Sequence, residues 1–208
     1  MTNDRSRAYQ TVAERRSVLS RYKDGTRAII QEEDSNDGDV IWISKTQNSL
    51  DSLQWEFECL AALQESGLVP EIDLDLGCDG RFYMTRVGHA ATLAEFAEAT
   101  SLGEIPVALF REICTVAVDT LEQFWDLGWA HGDLHGRNLV VALTPDNQWQ
   151  VPIIDLEFAT TPDGESPPVE QAIIDTPEGD RDRLLEDLYR VATEFNGSEP
   201  LLDVLSLF

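Results

Sequence analysis

The chain has 208 residues, 42 % of them hydrophobic, which is ordinary for a globular protein and enough for one large domain or two lobes with a shared core. Thirty-nine acidic residues against fifteen basic ones give a formal net charge of −24, so the surface repels nucleic acids and anionic membranes. The sequence has no long apolar run and no apolar core near its N-terminus, so it predicts neither a transmembrane helix nor a signal peptide.

Lysine is almost absent from the chain, which has two lysines, Lys23 and Lys45, and thirteen arginines. This acid-rich and lysine-poor composition resembles that of haloarchaeal proteins, in which surface carboxylates hold water and cations in a salty cytoplasm. The alternative is a mimic of DNA, whose carboxylates imitate phosphates. The acidic residues are scattered along the whole chain rather than concentrated in one segment, which favours adaptation to salt.

Three cysteines, Cys59, Cys78 and Cys114, are far apart and form no Cys-x-x-Cys pair. An odd and dispersed set is typical of reduced thiols in a cytosol, so we expect a cytoplasmic protein in which the cysteines are packing residues. His131 and His135 have no cysteine near them in the sequence, so the pattern does not predict a zinc site.

The first half of the chain is predicted to form strands, with one helix among them. The helix follows the third strand; Asn48 caps it, and Gly67 and Pro70 end it. Its buried stripe recurs every three to four residues, at Leu50, Leu53, Phe57 and Leu60. Five strands are expected between turns rich in Asn, Asp and Gly, at 16–22, 27–33, 40–45, 72–77 and 81–87.

A glycine, Gly88, opens a linker, after which the composition becomes typical of helices. We expect a short helix at 92–100 and a long helix at 105–128 that Gly128 ends. The long helix has one apolar stripe, which consists of Phe110, Ile113, Ala117, Leu121 and Phe124. A hairpin of two strands, a proline-rich loop and two helices are expected next, at 139–143 with 151–154, at 161–168, and at 180–195 and 199–208.

Two polar segments lie beside this hairpin. His-Gly-Asp-Leu-His-Gly-Arg-Asn, residues 131–138, precedes it, and its second strand runs into Ile-Asp-Leu-Glu. Asp133 can align an acceptor hydroxyl and take its proton, and Asn138 offers an amide oxygen, a hard ligand suited to magnesium. Asp155 ends an apolar strand, so its carboxylate projects from a rigid base. The hairpin returns the chain to its start, so Asn138 and Asp155 can reach the same ion.

These segments resemble the catalytic and metal-binding segments of the protein-kinase-like superfamily. The closest local match is the aminoglycoside and choline phosphotransferase branch, which has a His-Gly-Asp loop and an Ile-Asp-x-Glu segment. The resemblance spans roughly residues 16–195, although its sharp motifs are confined to the two polar segments. It implies ATP and Mg²⁺ as cofactors, with Asp133 as the catalytic base and Asn138 and Asp155 as the metal ligands, Asp155 being the main one.

The resemblance also assigns residues of the first half to nucleotide binding. Lys45, at the end of the third strand, matches the phosphate-binding lysine, and Glu56, with leucines at +4 and +7, matches its partner on the helix better than Glu58 does. Gly25 falls where the nucleotide-covering loop is expected, although the three-glycine signature is missing. The backbone from Met84 onwards is expected to face the adenine. Taken singly, Lys45 and Glu56 are ordinary surface charges and Gly25 is an ordinary turn residue, so the assignment depends on the ordered set.

Other residues of the second half have less specific implied roles. His131 is expected to brace the loop, and His135 stands where serine/threonine kinases have lysine, so it is a candidate for contact with the transferred phosphate. Arg137 stands where some tyrosine kinases have a loop arginine; a solvated side chain is the plain alternative for both. The later helix is expected to tether the loop through an acid, and the sequence leaves the choice open among Asp182, Asp180 and Asp187.

The chain also departs from the protein-kinase pattern. Asp-Leu-Glu replaces Asp-Phe-Gly, no Ala-Pro-Glu follows, and fifty-three residues come after Asp155. The expected size is that of a minimal kinase, similar to the RIO kinases and the short archaeal kinase of the tRNA-threonylcarbamoylation machinery.

These observations together predict a bilobal α+β protein. Residues 1–87 are expected to form the nucleotide-binding lobe, a five-stranded antiparallel sheet with one helix, and residues 88–208 a shortened, mainly helical catalytic lobe. The expected activity is transfer of the γ-phosphate of ATP to a hydroxyl group, of a serine or threonine in a protein. The alternatives are a small-molecule kinase of the aminoglycoside or choline type and a nucleotide-binding pseudokinase.

Overall fold

The computed structural model describes residues 2–19, 28–34, 41–47, 50–73, 81–85, 91–167, 176–194 and 203–208. The helices in these ranges are α1 (Thr2–Leu19), α2 (Leu50–Leu63), α3 (Leu93–Ser101), α4 (Val107–Asp126) and α5 (Pro177–Glu194). The strands are β1 (Ala28–Asp34), β2 (Ile41–Gln47), β3 (Arg81–Thr85), β4 (Ala91–Thr92), β5 (Val140–Leu143) and β6 (Trp149–Gln150). The mixture of helices and antiparallel strands agrees with the predicted α+β class.

The strands of the first half form an antiparallel sheet in the order β1-β2-β3. β2, which contains Ile41, Trp42 and Ile43, is the central strand and pairs with both neighbours. β-branched and aromatic residues favour this extended conformation because their side chains pack on a pleated surface. α2 packs against β2 and so covers this sheet.

The five-stranded sheet is not confirmed, because the described part of the first half contains three strands. The strand expected at 16–22 is wrong for residues 16–19, which belong to α1. Their short apolar pattern continues a segment rich in Ala, Glu and Arg, which are good helix formers. Of the strand expected at 72–77, Ile72 makes a single antiparallel bridge to Met84, and residues 74–77 lie outside the described ranges.

The helix α2 agrees with its predicted stripe except at its first residue. Leu53 and Leu60 are buried and Phe57 packs partly buried against the core, whereas Leu50 is 67 % exposed. Leu50 opens the helix, where the stripe has not yet reached the core. A 3-10 turn, Gln64–Ser66, follows α2, and Gly67 ends it. The predicted cap, Asn48, lies outside the described residues.

The long helix α4 is the centre of the second half. All five residues of its predicted stripe are completely buried, so this prediction is confirmed. α3 precedes it and begins with a capping box, in which Thr92 accepts the backbone N–H of Glu95 and the Glu95 carboxylate accepts the N–H of Thr92. α5 covers the expected helix at 180–195 up to Glu194, and its Leu184 and Leu188 side chains are completely buried.

The hairpin is formed by β5 and β6, and β5 also pairs with β4. Its second strand is Trp149–Gln150, and of the expected strand 151–154, Ile153 makes an antiparallel bridge to Leu139. Pro152 has no N–H to donate and interrupts the strand between these two parts, while its carbonyl accepts the N–H of Val140. The next residue, Ile153, donates its N–H to the carbonyl of Leu68 at 2.8 Å and thereby joins the hairpin to the segment after α2.

The N-terminal helix α1 packs on the second half of the chain, against α3, β4 and β5. The Tyr9 ring contacts the rings of Phe96 and Trp149, each at a centroid distance of 6.4 Å. Arg5 pairs with Glu112 of α4 at 2.9 Å. The lobe boundary at residue 87 stays a prediction, and α1, which precedes that boundary, contacts the part of the chain that the sequence assigns to the larger lobe.

A close contact at Gly136 joins the polar segment 131–138 to two helices. A Cβ atom at this position would lie 3.0 Å from Leu188 Cδ2 and 3.1 Å from the backbone nitrogen of Ala94. The Gly136 carbonyl accepts the Ala94 N–H at 3.0 Å. The segment is therefore seated directly on the first turn of α3, with no room for a side chain.

Cys59 and Cys114 are buried free thiols, as expected for packing residues. Burial raises the pKa of Cys59 to about 12, so its thiol stays protonated at neutral pH. Burial also raises the pKa of Cys114. Cys78 lies outside the described residues. In the part of the chain that the structure describes, no helix has the length and apolar character needed to cross a membrane.

Replacing Tyr9 by alanine tests whether α1 is a structural part of the larger lobe. Tyr9→Ala removes a buried ring from an aromatic cluster, so the free energy of unfolding should fall by about 3–5 kcal/mol. Tyr189→Ala is the matched control, since this tyrosine of α5 is 43 % exposed and should change stability by less than about 0.5 kcal/mol. Urea denaturation measures both, and equal losses would show that α1 is not packed as described.

Gly136→Ala tests the seat of the polar segment. The new methyl group meets backbone, which cannot rotate away, so we expect a loss of about 2–3 kcal/mol in the free energy of unfolding. Gly164→Ala is the control, because a Cβ there meets open space and adds only the strain of a positive φ, about 1 kcal/mol. A Gly136→Ala protein that is as stable as the Gly164→Ala protein would contradict the contact.

Candidate active site

The start of the polar loop 131–138 is held by a buried carboxylate from α5. Asp180 is completely buried, and it accepts the backbone N–H groups of His131 at 2.5 Å and of Gly132 at 2.9 Å. Burial raises the pKa of Asp180, while the hydrogen bonds from His131 and Gly132 act in the opposite direction. Gly132 has a φ of 77°, a left-handed conformation that glycine adopts without cost, so both N–H groups can point at one carboxylate.

A second acid of α5 holds the middle of the same loop. Asp187 accepts the backbone N–H of Gly136 at 2.9 Å, and Arg190 pairs with its other oxygen at 2.5 Å. Asp182, in contrast, is exposed. Of the three acids that the sequence left open as tethers, the structure therefore places Asp180 and Asp187 on the loop and Asp182 in solvent.

His131 connects the loop to the segment that contains Asp155. Its Nδ1 atom is 3.3 Å from the backbone nitrogen of Asp133 and accepts that N–H. Its Nε2 atom must then carry the ring proton, which it donates to the carbonyl of Ile154 at 3.0 Å. The completely buried imidazole thus braces the loop.

The Asp133 side chain lies at the surface of this framework, with 25 % of it exposed. The Arg183 guanidinium of α5 pairs with its Oδ1 atom. Oδ1 is itself buried, and the contact is one of charge and proximity that lacks the geometry of a hydrogen bond. The exposure of the side chain therefore belongs to its other atoms, and Oδ2 is the oxygen that an incoming hydroxyl can reach.

Asn138 and Asp155 are brought together by backbone bonds. Asn138 donates its side-chain N–H to the carbonyl of Asp133 at 3.0 Å, so its Nδ2 atom is used inside the loop and its Oδ1 atom is the one that can bind a cation. The Asn138 carbonyl accepts the N–H of Ile154 at 3.0 Å, and Asp155 is the next residue. Asp155 has a φ of 65°, an uncommon conformation for a residue with a Cβ, of the kind that clusters at functional sites.

The donor set at Asn138 and Asp155 fits magnesium. Mg²⁺ in proteins is usually held by one or two carboxylates, with water and phosphate oxygens completing the shell. An amide oxygen and a carboxylate on adjacent, rigidly bonded segments meet that requirement. Within the described ranges, no cluster of three or more His, Cys, Asp and Glu side chains is placed to hold a metal ion.

His135 is half-buried beside this framework. Burial lowers its pKa, and the carboxylates of Asp133, Asp187 and Asp155 act in the opposite direction with smaller effect. Its Nδ1 atom is buried and has no hydrogen-bond partner in the structure. The imidazole is therefore neutral at pH 7, and at this pH it supplies no positive charge.

The residues of the first half that the sequence assigns to nucleotide binding are placed only in part. Lys45 lies in β2, where its backbone is in register with Ile30 and Phe82, but the position of its side chain is outside what the structure describes. Glu56 is completely buried on α2, whereas the rejected alternative, Glu58, is exposed. Met84 is buried in β3, and Gly25 lies outside the described residues.

Two contacts near the site were not expected from the sequence. The first is the pair of Arg183 with Asp133, which joins residues on separate elements and leaves no local pattern. The second is a hydrogen bond from the Trp55 indole to the carbonyl of Ala159 at 3.2 Å, which ties α2 to the segment after Asp155. This contact also leaves no local pattern in the sequence, because Trp55 and Ala159 are 104 positions apart.

Comparison with known proteins gives no match to a family model and none to a curated protein. Solved structures do match. A crystal structure of a Stt7 homolog from Micromonas algae, soaked with ATP, has a TM-score of 0.59 and 13 % identity, over 89 % of this chain and 72 % of that one. The Rad53 kinase domain with SCD2 has a TM-score of 0.50 and 16 % identity, over 64 % of this chain and 49 % of that one. The chain therefore has a protein-kinase-like fold.

Proposed function

We propose that the protein is an ATP- and Mg²⁺-dependent kinase that transfers the γ-phosphate of ATP to a hydroxyl group of a serine or threonine in a protein. The observation that carries the proposal is the bonded path from Asp133 through His131 and Asn138 to Ile154, which fixes Asp133, Asn138 and Asp155 in one framework. Phosphoryl transfer needs little covalent chemistry from the protein, so a rigid array of such groups is the main requirement.

Asp133 serves as the base in this proposal. The acceptor oxygen attacks the γ-phosphorus and forms the new P–O bond, the bond from phosphorus to the β–γ bridging oxygen breaks, and its electron pair leaves with ADP. The hydroxyl proton passes to Oδ2 of Asp133. The ion pair at Oδ1 and the backbone bond from Asp133 to His131 fix the direction of the carboxylate.

Asn138 Oδ1 and the Asp155 carboxylate would hold the magnesium ion. When bound, the ion neutralises charge on the phosphate oxygens. The side-chain bond of Asn138 to Asp133 couples the metal ligand to the base, so both keep their relative positions during the reaction.

The smaller lobe supplies the remaining groups of the proposal. Glu56 is completely buried, and a buried carboxylate is stable only with a partner. Lys45 in the neighbouring strand is the proposed partner and phosphate ligand, Gly25 the proposed nucleotide-covering position, and the backbone after Met84 the proposed adenine site. Likeness to a structure that was soaked with ATP supports ATP as the nucleotide. The charge of −24 supports a partner other than nucleic acid or anionic membrane.

A small-molecule kinase is the second candidate. His135 in the loop and Ile-Asp-Leu-Glu at 154–157 favour it, because both match the aminoglycoside and choline branch. Incubation with a cell lysate, with aminoglycosides and with choline separates the two, since label from ATP then appears either in protein or in a small molecule.

Replacing the base tests the proposal directly. Asp133→Asn should lower transfer from labelled ATP by about 10²–10⁴-fold, because an amide cannot take the hydroxyl proton. Asp182→Asn, which removes an exposed charge from the same region, should leave the rate unchanged. The assay is done with Mg²⁺ in high potassium chloride, which screens repulsion between ATP and the acidic surface.

A full rate in Asp133→Asn would remove Asp133 from its proposed role. Nucleotide binding without any transfer by the wild-type protein would make the chain a pseudokinase and contradict the proposal.

The pH dependence of stability tests the neutral His135. Burial lowers the pKa of His135 in the folded protein below the ordinary value of 6.5. As the pH falls through 6.5, the imidazole therefore gains a proton in the unfolded chain but stays neutral in the folded chain, which favours unfolding. Stability that is present above pH 6.5 is therefore lost below it. His135→Gln lacks this loss, so its free energy of unfolding should decrease less than that of the wild type between pH 7.5 and 5.5. Identical decreases in urea titrations would contradict a buried, neutral imidazole.

A further inference from the structure

One face of α5 contacts the polar loop 131–138, the catalytic loop of the proposed function, at three successive points. Asp180, Arg183 and Asp187 are three and four residues apart, a spacing that puts them on the same side of a helix. Asp180 binds His131 and Gly132, Arg183 pairs with Asp133, and Asp187 binds Gly136.

The two outer residues of this face, Asp180 and Asp187, accept backbone N–H groups and so hold the conformation of the loop. The central contact differs because it reaches the side chain of the proposed base. We infer that Arg183 supplies the positive charge of the catalytic loop, where it positions the Asp133 carboxylate and contacts the phosphoryl group during transfer. This inference rests on the proposed function.

The loop itself offers two other residues for this task, and neither is placed for it. His135 stands where serine/threonine kinases have lysine, but its side chain is partly buried and its Nδ1 atom is buried without a hydrogen-bond partner. Arg137 is exposed. Arg183, in contrast, contacts Oδ1 of Asp133, although it is fifty residues away in the sequence and belongs to another element.

The position of Arg183 is fixed by its neighbours on the helix. Leu184 and Leu188 are completely buried, and Leu188 contacts the site of Gly136. Asp180 and Asp187 bind the loop within one turn on either side. The backbone of Arg183 therefore keeps a constant distance from Asp133, which a long and flexible side chain on a loose segment would not achieve.

The geometry of transfer brings the phosphoryl group within reach of this guanidinium. The acceptor oxygen lies about 2.6–3.2 Å from the base and about 3–3.5 Å from the phosphorus at the moment of attack. A guanidinium in contact with the base is therefore close to the equatorial oxygens on which negative charge develops. Arginine has five N–H donors in a planar fork, so it can serve a carboxylate and a phosphoryl oxygen together.

A purely structural role explains the contact less well. The Arg183 side chain is 41 % exposed, and an ion pair with that exposure contributes little to stability because water and salt screen it. The loop is already held by Asp180 and Asp187. Arg183 contacts the side chain of the proposed base and not the loop backbone, so we expect its positive charge to affect the reaction more than the folding of the loop.

Kinetics of Arg183 variants test the inference. Arg183→Ala should lower kcat by about 10²–10³-fold, with little change in the KM for ATP and in the urea midpoint, because the contact acts in the transition state. Arg183→Lys should restore part of the rate, since it keeps the charge but loses the fork. Millimolar guanidinium ion should also restore part of it in Arg183→Ala, because the truncated side chain leaves a space open to solvent. Arg111→Ala, an exposed arginine of α4, has the same net charge and should behave as the wild type.

The inference is overturned if Arg183→Ala keeps the wild-type kcat, or if Arg137→Ala loses the activity and Arg183→Ala does not. It is also overturned if the loss in Arg183→Ala follows the loss of folded protein and neither lysine nor guanidinium restores any rate, because that behaviour is structural. Absence of transfer by the wild-type protein itself would overturn the proposed function, and this inference with it. The wild-type rate thus distinguishes the two failures.

Discussion

The buried carboxylate of Asp180 is the contact on which the rest of the site depends. A charge in the interior is stable only if its lone pairs meet donors, and here two backbone N–H groups and the Trp125 indole supply them. Hydrogen bonds to a charged group contribute about 1.5–3 kcal/mol each, which offsets much of the cost of burial. The donors include the backbone N–H groups of His131 and Gly132, so these hydrogen bonds to Asp180 fix the conformation of the polar loop at its start.

The remaining groups follow from that fixed point. With its backbone held, the His131 ring can reach both the N–H of Asp133 and the carbonyl of Ile154, and so it aligns two segments that are more than twenty residues apart. Asn138 repeats the link from the other end of the loop, through Asp133 on one side and Ile154 on the other. The base and the two metal-ligand candidates are thus parts of one bonded network, and disturbing one member displaces the others.

The sequence predicted the elements and motifs whose signals are local. The stripe of α4 is regular over about four turns, and the residues from His131 to Asn138 lie in a short loop, so both could be recognised without coordinates. The failures have physical causes. Residues 16–19 carry a short apolar pattern that fits a strand as well as the helix in which they lie. Pro152 interrupts the second hairpin strand, so the expected segment 151–154 is reduced to the bridge of Ile153 to Leu139. Asp180, Asp182 and Asp187 are all aspartates of the same helix, so the sequence does not distinguish them. Which of them binds the loop depends on which side of α5 faces the loop, and that is known only from the structure. Arg183 left no signal because its partner is on another element.

Electrostatics explains why so acidic a chain needs this arrangement. In the proposed function, ATP and its acceptor must approach a protein of net charge −24, so positive charge has to be concentrated where the phosphates bind. The most direct measurement is a crystal structure of the protein with Mg²⁺ and a non-hydrolysable ATP analogue. Oδ1 of Asn138 and the carboxylate of Asp155 should both lie about 2.1 Å from one magnesium ion, with the Lys45 ammonium on the phosphates opposite. A nucleotide bound elsewhere, or a magnesium ion that touches neither residue, would contradict the proposed site.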